Sequence, residues 1–468
     1  MVSKDDIMGE LVRTNYWWET GSVRALDLEE YRRNMFTDLV DALEDKEICG
    51  IIGPRRTGKT TLMYQLIDLL LERGVEPKNI MLFTFDNPLM CEDEGVIEKI
   101  VHIHEEIYGI TDKRYIFFDE IQYVKDWSRW IKSIYDKNMN IKFVVSGSSG
   151  KLIYKNTSES LTGRISFFET DPFSFGEYCC YKGSEGLKSF LEGLDDGNSD
   201  PLTVDPYELN LKIKHHEKEL KRLFNDYILY GGIPETFDKE LSKAHKWLRQ
   251  DYVGLVFYRD LMELFDIRDT RTLEELFYYI ANTHGQRANY SKIGDMLDCR
   301  IETVKTYLGY LEIAGLINII EYYSKSPKRS KRAEKKLFVL DSGVLNAIKG
   351  NDKKILTYSA IVGSIVEGIV CSHLVSGKID ILPKNVYYWR SVYEVDFVVK
   401  ERDGLIPIEV KYKNNVGESD LKGLISFMEK HNIEEGIVIT KEKFEETIID
   451  NNKIWYIPVW FFLLKPYG

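Results

Sequence analysis

The sequence predicts an α/β protein in which a parallel sheet comes first, a largely helical region follows, and a second α/β module ends the chain. Three observations carry that reading. Apolar strand-like runs alternate with helix-period segments from Ile48 to about Phe175, the pattern of a parallel sheet with crossover helices. From about Ser184 to Phe265 the periodicity is mostly helical. Beyond Ile361 a helix is followed by short strands and renewed alternation. At 468 residues the chain exceeds one ordinary hydrophobic core, so several domains are expected. The division expected is an N-terminal segment over 1–27, the first α/β domain over 28–183, a helical lid or linker over 184–265, a helix-turn-helix module over 266–345 and a final α/β domain over 356–468.

Composition narrows the class. The apolar fraction of 44% and aromatic fraction of 13% are those of a packed globular chain. A net charge of −12 excludes a general polyanion binder, so any nucleic-acid surface must be a local basic patch. Cys49, Cys91, Cys179, Cys180, Cys299 and Cys371 form no CxxC pair and are expected to be reduced thiols in a cytoplasmic protein. His102 with His104, and His215 with His216, lack a third ligand and are expected on solvated helices. Met1 to Glu10 is charged and has no apolar leader core. Ile454 to Leu464 is too short to cross a bilayer and reads as a buried strand. No membrane partner is expected.

In chain order, Leu26 to Asp45 has helical periodicity and Ile48 to Ile52 is an apolar strand. Next come Gly53, Pro54, Arg55, Arg56, Thr57, Gly58, Lys59 and Thr60, a full GxxxxGK[ST] match, and a helix from Thr61 to Leu71. In that strand–loop–helix context the loop N–H groups and the helix N-terminus cradle phosphates. Lys59 is expected at the β- and γ-phosphates and the Thr60 hydroxyl on Mg²⁺. The second strand of the pattern, Tyr115 to Phe118, ends in Asp119 and Glu120. An acid at the end of a buried strand needs a positive partner, so Asp119 is expected to hold the metal and Glu120 to activate water. A further strand, Ile141 to Val145, ends in Ser146, a candidate for sensing the γ-phosphate or placing water. The expected ligands are therefore ATP and Mg²⁺, on a P-loop NTPase sheet.

The runs GPRRTGKTT, YIFFDEIQ, VVSGSSG, LTGRISFFETDPFSFGEY and YGGIPE occur in that order. Together they resemble prokaryotic, archaeal-type ATPases of the AAA+ superfamily that carry a C-terminal domain of unknown function, near the STAND signalling group. The resemblance implies ATP hydrolysis, and it makes Arg164 of LTGR a candidate for γ-phosphate contact, in cis or across a subunit interface. It also admits a homo-oligomer. Gly231 to Pro234 reads as a structural turn between helices.

The region after Leu273 resembles a winged helix, with Tyr290 to Leu297 and Ile301 to Ala314 as the helix pair. Its expected wing, Ile317 to Leu340, carries Lys325, Lys328, Arg329, Lys331, Arg332, Lys335 and Lys336 against Glu334. This is the most basic stretch of an acidic chain and is expected to contact DNA phosphates. In the last domain, Glu367 on a helix, Asp396 on one strand, and Glu409 with Lys411 on the next resemble the PD-(D/E)XK nuclease-like fold. The resemblance implies a Mg²⁺ site and a DNA-cutting step. Three functions remain in competition: an ATPase that drives or gates another process, an ATP-regulated nuclease, and a nucleotide-dependent switch with an inactive nuclease fold.

Overall fold

A computed structural model describes residues 3–93, 95–109, 112–137, 140–148, 161–193, 211–265, 267, 269–376, 385–401 and 404–464. The chain forms two compact units, Met1–Asp171 and Pro172–Gly468. The first holds five strands: β1 (Ile48–Ile52), β2 (Ile80–Thr84), β3 (Arg114–Asp119), β4 (Ile141–Gly147) and β5 (Ile165–Glu169). Their order is β2-β3-β4-β1-β5 and every pairing is parallel. Strands buried on both faces read as unbroken apolar runs, and β1, β3 and β4 are buried at every position. The helix Lys59–Glu72 covers one face through Leu62, Met63, Leu66 and Leu70, packed with Phe36, Leu39 and Leu43.

Three expectations for this unit change. The helix read over Leu26 to Asp45 is an α-helix only at Phe36–Glu44, preceded by a single 3-10 turn at Ala25–Asp27. The segment 1–27 is an integral part of the unit. Its helix Lys4–Thr14 is capped at Ser3, and the Asn15 side chain then stands in for a missing neighbour of the edge strand β2. The Asn15 amide donates to Leu82 O at 2.8 Å and its carbonyl accepts from Leu82 N–H at 2.6 Å. The Trp17 and Trp18 indoles both donate to Ile80 O. These bonds occupy Leu82 and the Ile80 carbonyl on the open edge of β2. Trp18 takes part in a third difference. His104 is fully buried and stacked on Trp18, with Nε2 bonded to Lys78 O at 2.9 Å, rather than solvated. Burial pushes its pKa down to about 4.

The second unit begins with helices, among them Glu217–Tyr230, Thr270–Asn282, Tyr290–Met296 and Ile301–Ile313. Its strands are β6 (Arg287–Ala288), β7 (Ile317–Tyr322), β8 (Lys335–Val339), β9 (Val386–Arg390), β10 (Glu394–Lys400), β11 (Leu405–Lys411), β12 (Glu435–Thr440), β13 (Glu445–Ile449) and β14 (Asn452–Pro458). They form one nine-stranded sheet in the order β13-β14-β12-β11-β10-β9-β7-β8-β6. The helices Tyr290–Met296 and Ile301–Ile313 are followed by the antiparallel β7–β8 pair. Their sheet runs on into the C-terminal strands through the parallel pairing of Glu321 and Tyr322 with Tyr387 and Tyr388. The expected hairpin tip is a short helix, Pro327–Arg332. The run Ile454 to Leu464 is strand only to Pro458, where the helix Val459–Phe462 takes over. No helix among the described residues is long and apolar enough to cross a membrane.

Candidate nucleotide site

Each residue of the glycine–lysine loop is placed by the end of β1. Gly53 has φ of 148°, and a Cβ there would meet Thr170 O at 2.1 Å, so the loop can leave the sheet here only without a side chain. Thr57 Oγ1 ties the loop internally to Pro54 O at 2.9 Å and outward to Thr170 Oγ1 at 2.8 Å. Gly58, in the left-handed region, is the N-cap of Lys59–Glu72. The buried Lys59 ammonium lies back on the loop, donating to Gly53 O at 3.0 Å and Pro54 O at 2.7 Å. Arg55 reaches the Tyr123 hydroxyl at 2.7 Å, and Arg56 adopts a positive φ. Thr61 opens the body of the helix after Thr60.

Beneath the loop, Thr60 Oγ1 donates to Asp119 Oδ2 at 2.8 Å. The other oxygen of Asp119 accepts from the Ser146 hydroxyl, and the Glu120 N–H lies 3.2 Å from both Asp119 Oδ1 and Ser146 Oγ. Burial, and then the neighbouring Glu120, push the Asp119 pKa up to about 6 despite these donors. Glu120 sits at φ 55°, off the strand end, with its carboxylate held by the Gln122 amide. That amide also bonds Ser148 Oγ at 3.0 Å. Thr60, Asp119, Glu120 and Ser146 thus meet at one point under the loop, as read from the sequence.

Arg164 does not join them. Its carbonyl accepts from Ile48 N–H at 2.7 Å, at the start of β1, and its guanidinium pairs with Asp136 at 3.1 Å. The loop follows the far end of that strand, about 16 Å away at the usual strand rise, so contact with phosphate in cis is corrected. Several supporting residues carried no sequence signal strong enough to single out. Arg33 is buried and donates to Thr57 O at 3.0 Å and Asp171 O at 2.7 Å. Thr170 braces the loop from β5. Gln122 was legible in principle, two residues after Glu120 in the DEIQ run.

The second sequence constellation also converges. Phe397 pairs with Ile408, which sets Asp396 directly opposite Glu409 on one face of the sheet. Val410 N–H donates to Asp396 Oδ2 at 2.9 Å. Lys411 bonds Glu409 and lies 3.6 Å from Asp396, and Glu367 comes in from the helix Ser359–Val375. The cluster has two members the sequence reading placed elsewhere or missed. Glu394 lies two residues before Asp396. Lys336, expected on the basic tip, is 3% exposed and stands among the acids. Lys335 is likewise buried, bonded to Ser330 O and paired with Glu321, so both leave the phosphate-contact set. Lys325, Lys328, Arg329, Lys331 and Arg332 are exposed. The outward face of Ile301–Ile313 is partly covered: Tyr310 stacks on Phe265 at 3.9 Å and Tyr307 bonds Asp269 O.

Residues 45–179 match the family model of the AAA domain. The first unit holds an AAA-type P-loop ATPase domain. Beyond it, residues 221–355 match a domain of unknown function (DUF8612) and residues 362–462 another (DUF4143). An uncharacterized protein of Methanocaldococcus jannaschii is 26% identical over 452 residues, spanning 93% of this chain and 92% of that one. One of Haemophilus influenzae is 23% identical over 439 residues, spanning 92% and 98%. Among solved structures, a Walker-type ATPase of Pyrococcus abyssi is similar with a TM-score of 0.39 and 18% identity, covering 70% of this chain and 98% of that one. In the ATPase domain the matched span contains β1 and its loop, β3 with its two acids, and Ser146.

Proposed function

We propose that the AAA domain hydrolyses ATP with Mg²⁺, and that the cycle is coupled to nucleic-acid engagement by the second unit. The observation that carries hydrolysis is the 2.8 Å bond between the Thr60 hydroxyl and Asp119, with Glu120 one residue further on. A hydroxyl and a carboxylate side by side under a phosphate-binding loop are oxygen donors of the kind that would hold a Mg²⁺ ion. When bound, the ion would supply charge neutralisation at the phosphates. The protein does the rest. Loop N–H groups and Lys59 bind and orient the phosphates. Asp119, fixed by Ser146, would hold the ion together with Thr60. Glu120, released from the Gln122 amide, accepts the proton of the attacking water.

Coupling to nucleic acid rests on the exposed cations of residues 325–332, concentrated on a chain of net charge −12. The test is turnover and binding of full-length variants with and without DNA. Lys59→Ala should lose turnover and weaken ATP binding. Glu120→Gln should keep ATP and slow hydrolysis about 10²-fold or more, which traps the ATP state. Equal loss of binding and turnover in Glu120→Gln would make that carboxylate structural.

A further inference from the structure

The C-terminal cluster resembles a divalent-metal site in its acids and not in its centre. Lys336 Nζ lies 2.8 Å from Glu394, 3.0 Å from Glu367 and 3.4 Å from Asp396. An ammonium has three N–H donors, and here each has its own carboxylate. The same oxygens of Glu367 and Asp396 are those an incoming ion would need. Mg²⁺ sits about 2.1 Å from its oxygen ligands, so an ion on that pair would lie at contact distance from Nζ. Two cations that close repel strongly. Lys411 adds a second ammonium, on Glu409 and Asp396. Among the described residues, no three of His, Cys, Asp or Glu converge in a way that could hold a metal ion.

Lys336 is also not a surface side chain folded inward. It lies on β8, which is buried at all five positions, and its backbone pairs with β6 and β7. The strand therefore fixes the ammonium in the cluster. Glu394 is shared with Arg287, 3.6 Å away, so the rim of the cluster is cationic as well.

We propose that Lys336 occupies the position of the divalent cation in this nuclease-like cluster, so that the second unit is held by an internal ammonium and engages its partners without metal-dependent cleavage of phosphodiesters. The lysine performs the ion's electrostatic task of joining the acids of β10 and the helix Ser359–Val375. It cannot perform the ion's chemical task, because an ammonium does not bind and acidify a water as a metal does.

The experiment is Mn²⁺ binding to the full-length, nucleotide-free protein by electron paramagnetic resonance, with Asp396→Asn to assign the site. Wild type should show no bound Mn²⁺ that Asp396→Asn removes. Lys336→Met keeps the unbranched chain, one atom shorter, and removes the charge. It should gain one Mn²⁺ with affinity raised at least about tenfold, lost again in Lys336→Met/Asp396→Asn. Its melting temperature should rise with Mn²⁺ where that of wild type does not. Asp396-dependent Mn²⁺ in wild type overturns the proposal. So does a folded Lys336→Met that gains none. Where Lys336→Met does not fold, the wild-type and Asp396→Asn pair decides alone, in the same two directions.

Discussion

Ser146 shows what a single hydroxyl does at the ATP site. It donates to Asp119 and accepts from the Glu120 N–H, so it fixes the Asp119 carboxylate and the backbone that carries Glu120. A hydrogen bond to a charged group is worth roughly 1.5–3 kcal/mol, and about 1.4 kcal/mol is a factor of ten in rate. Ser146→Ala should therefore lower kcat by roughly 10- to 100-fold with ATP affinity nearly unchanged, measured by steady-state turnover beside nucleotide titration. A loss confined to affinity would place Ser146 at the phosphates instead. At this scale the sequence was most legible where chemistry is local. Gly53 to Thr60 and Asp119–Glu120 follow strands, and a residue after a parallel strand lies at the edge where ligands bind. Arg164 precedes its strand, β5, so the same rule puts it at the opposite edge. Lys336 was not legible. Its acids lie 31 and 60 residues along the chain, and a basic run looks solvated until a strand carries part of it inside.

The elements are joined by buried polar contacts as well as by apolar packing, and Asp341 is one such joint. The helix Glu217–Tyr230 ends at Gly231, whose positive φ turns the chain. The next N–H, of Gly232, donates to Asp341 Oδ2 at 2.7 Å, while Asp341 Oδ1 caps the helix Ser342–Lys349 through Val344 N–H at 2.9 Å. One carboxylate thus ties the glycine turn to a helix more than a hundred residues away. Burial pushes its pKa up to about 6 against these donors. Asp341→Ala would leave two buried N–H groups unpaired, at about 1–3 kcal/mol each. Hydrogen exchange at Gly232 and Val344 should accelerate by about 10²-fold; unchanged protection there would mean the carboxylate is not what holds the turn. The turn was readable from its glycines. Its partner was not, because nothing local marks Asp341 as more than a helix cap. The wing was misread for a related reason. Two basic residues after Ala333 continue the run seen in the helix Pro327–Arg332, yet they begin β8, a strand covered on both faces.

For the molecule as a whole, charge decides where nucleic acid can bind. A chain of net charge −12 repels a polyanion at long range, so binding must come from cations grouped on one face. Removing Lys335 and Lys336 from that face leaves Lys325, Lys328, Arg329, Lys331 and Arg332, exposed on and beside a single short helix. Arg329 lies over the Tyr322 ring at 5.6 Å, which braces one member of the set. The face offered by Ile301–Ile313 is a weaker alternative, since Tyr307 and Tyr310 are engaged by Asp269 and Phe265 and the remainder is only mildly polar. Each phosphate neutralised releases counterions and contributes about 0.9 to the slope of log K against log salt. Replacing Lys328, Arg329, Lys331 and Arg332 together by Gln should weaken binding to a DNA duplex and flatten that slope by up to about 3–4, largely independent of base sequence. Lys335→Gln is the control: its ammonium is paired internally with Glu321 and Ser330, so the slope should stay as in wild type. A slope unmoved by the fourfold change, in a protein that still binds DNA, would place the phosphate contacts elsewhere on the chain and remove the short basic helix from the coupling scheme.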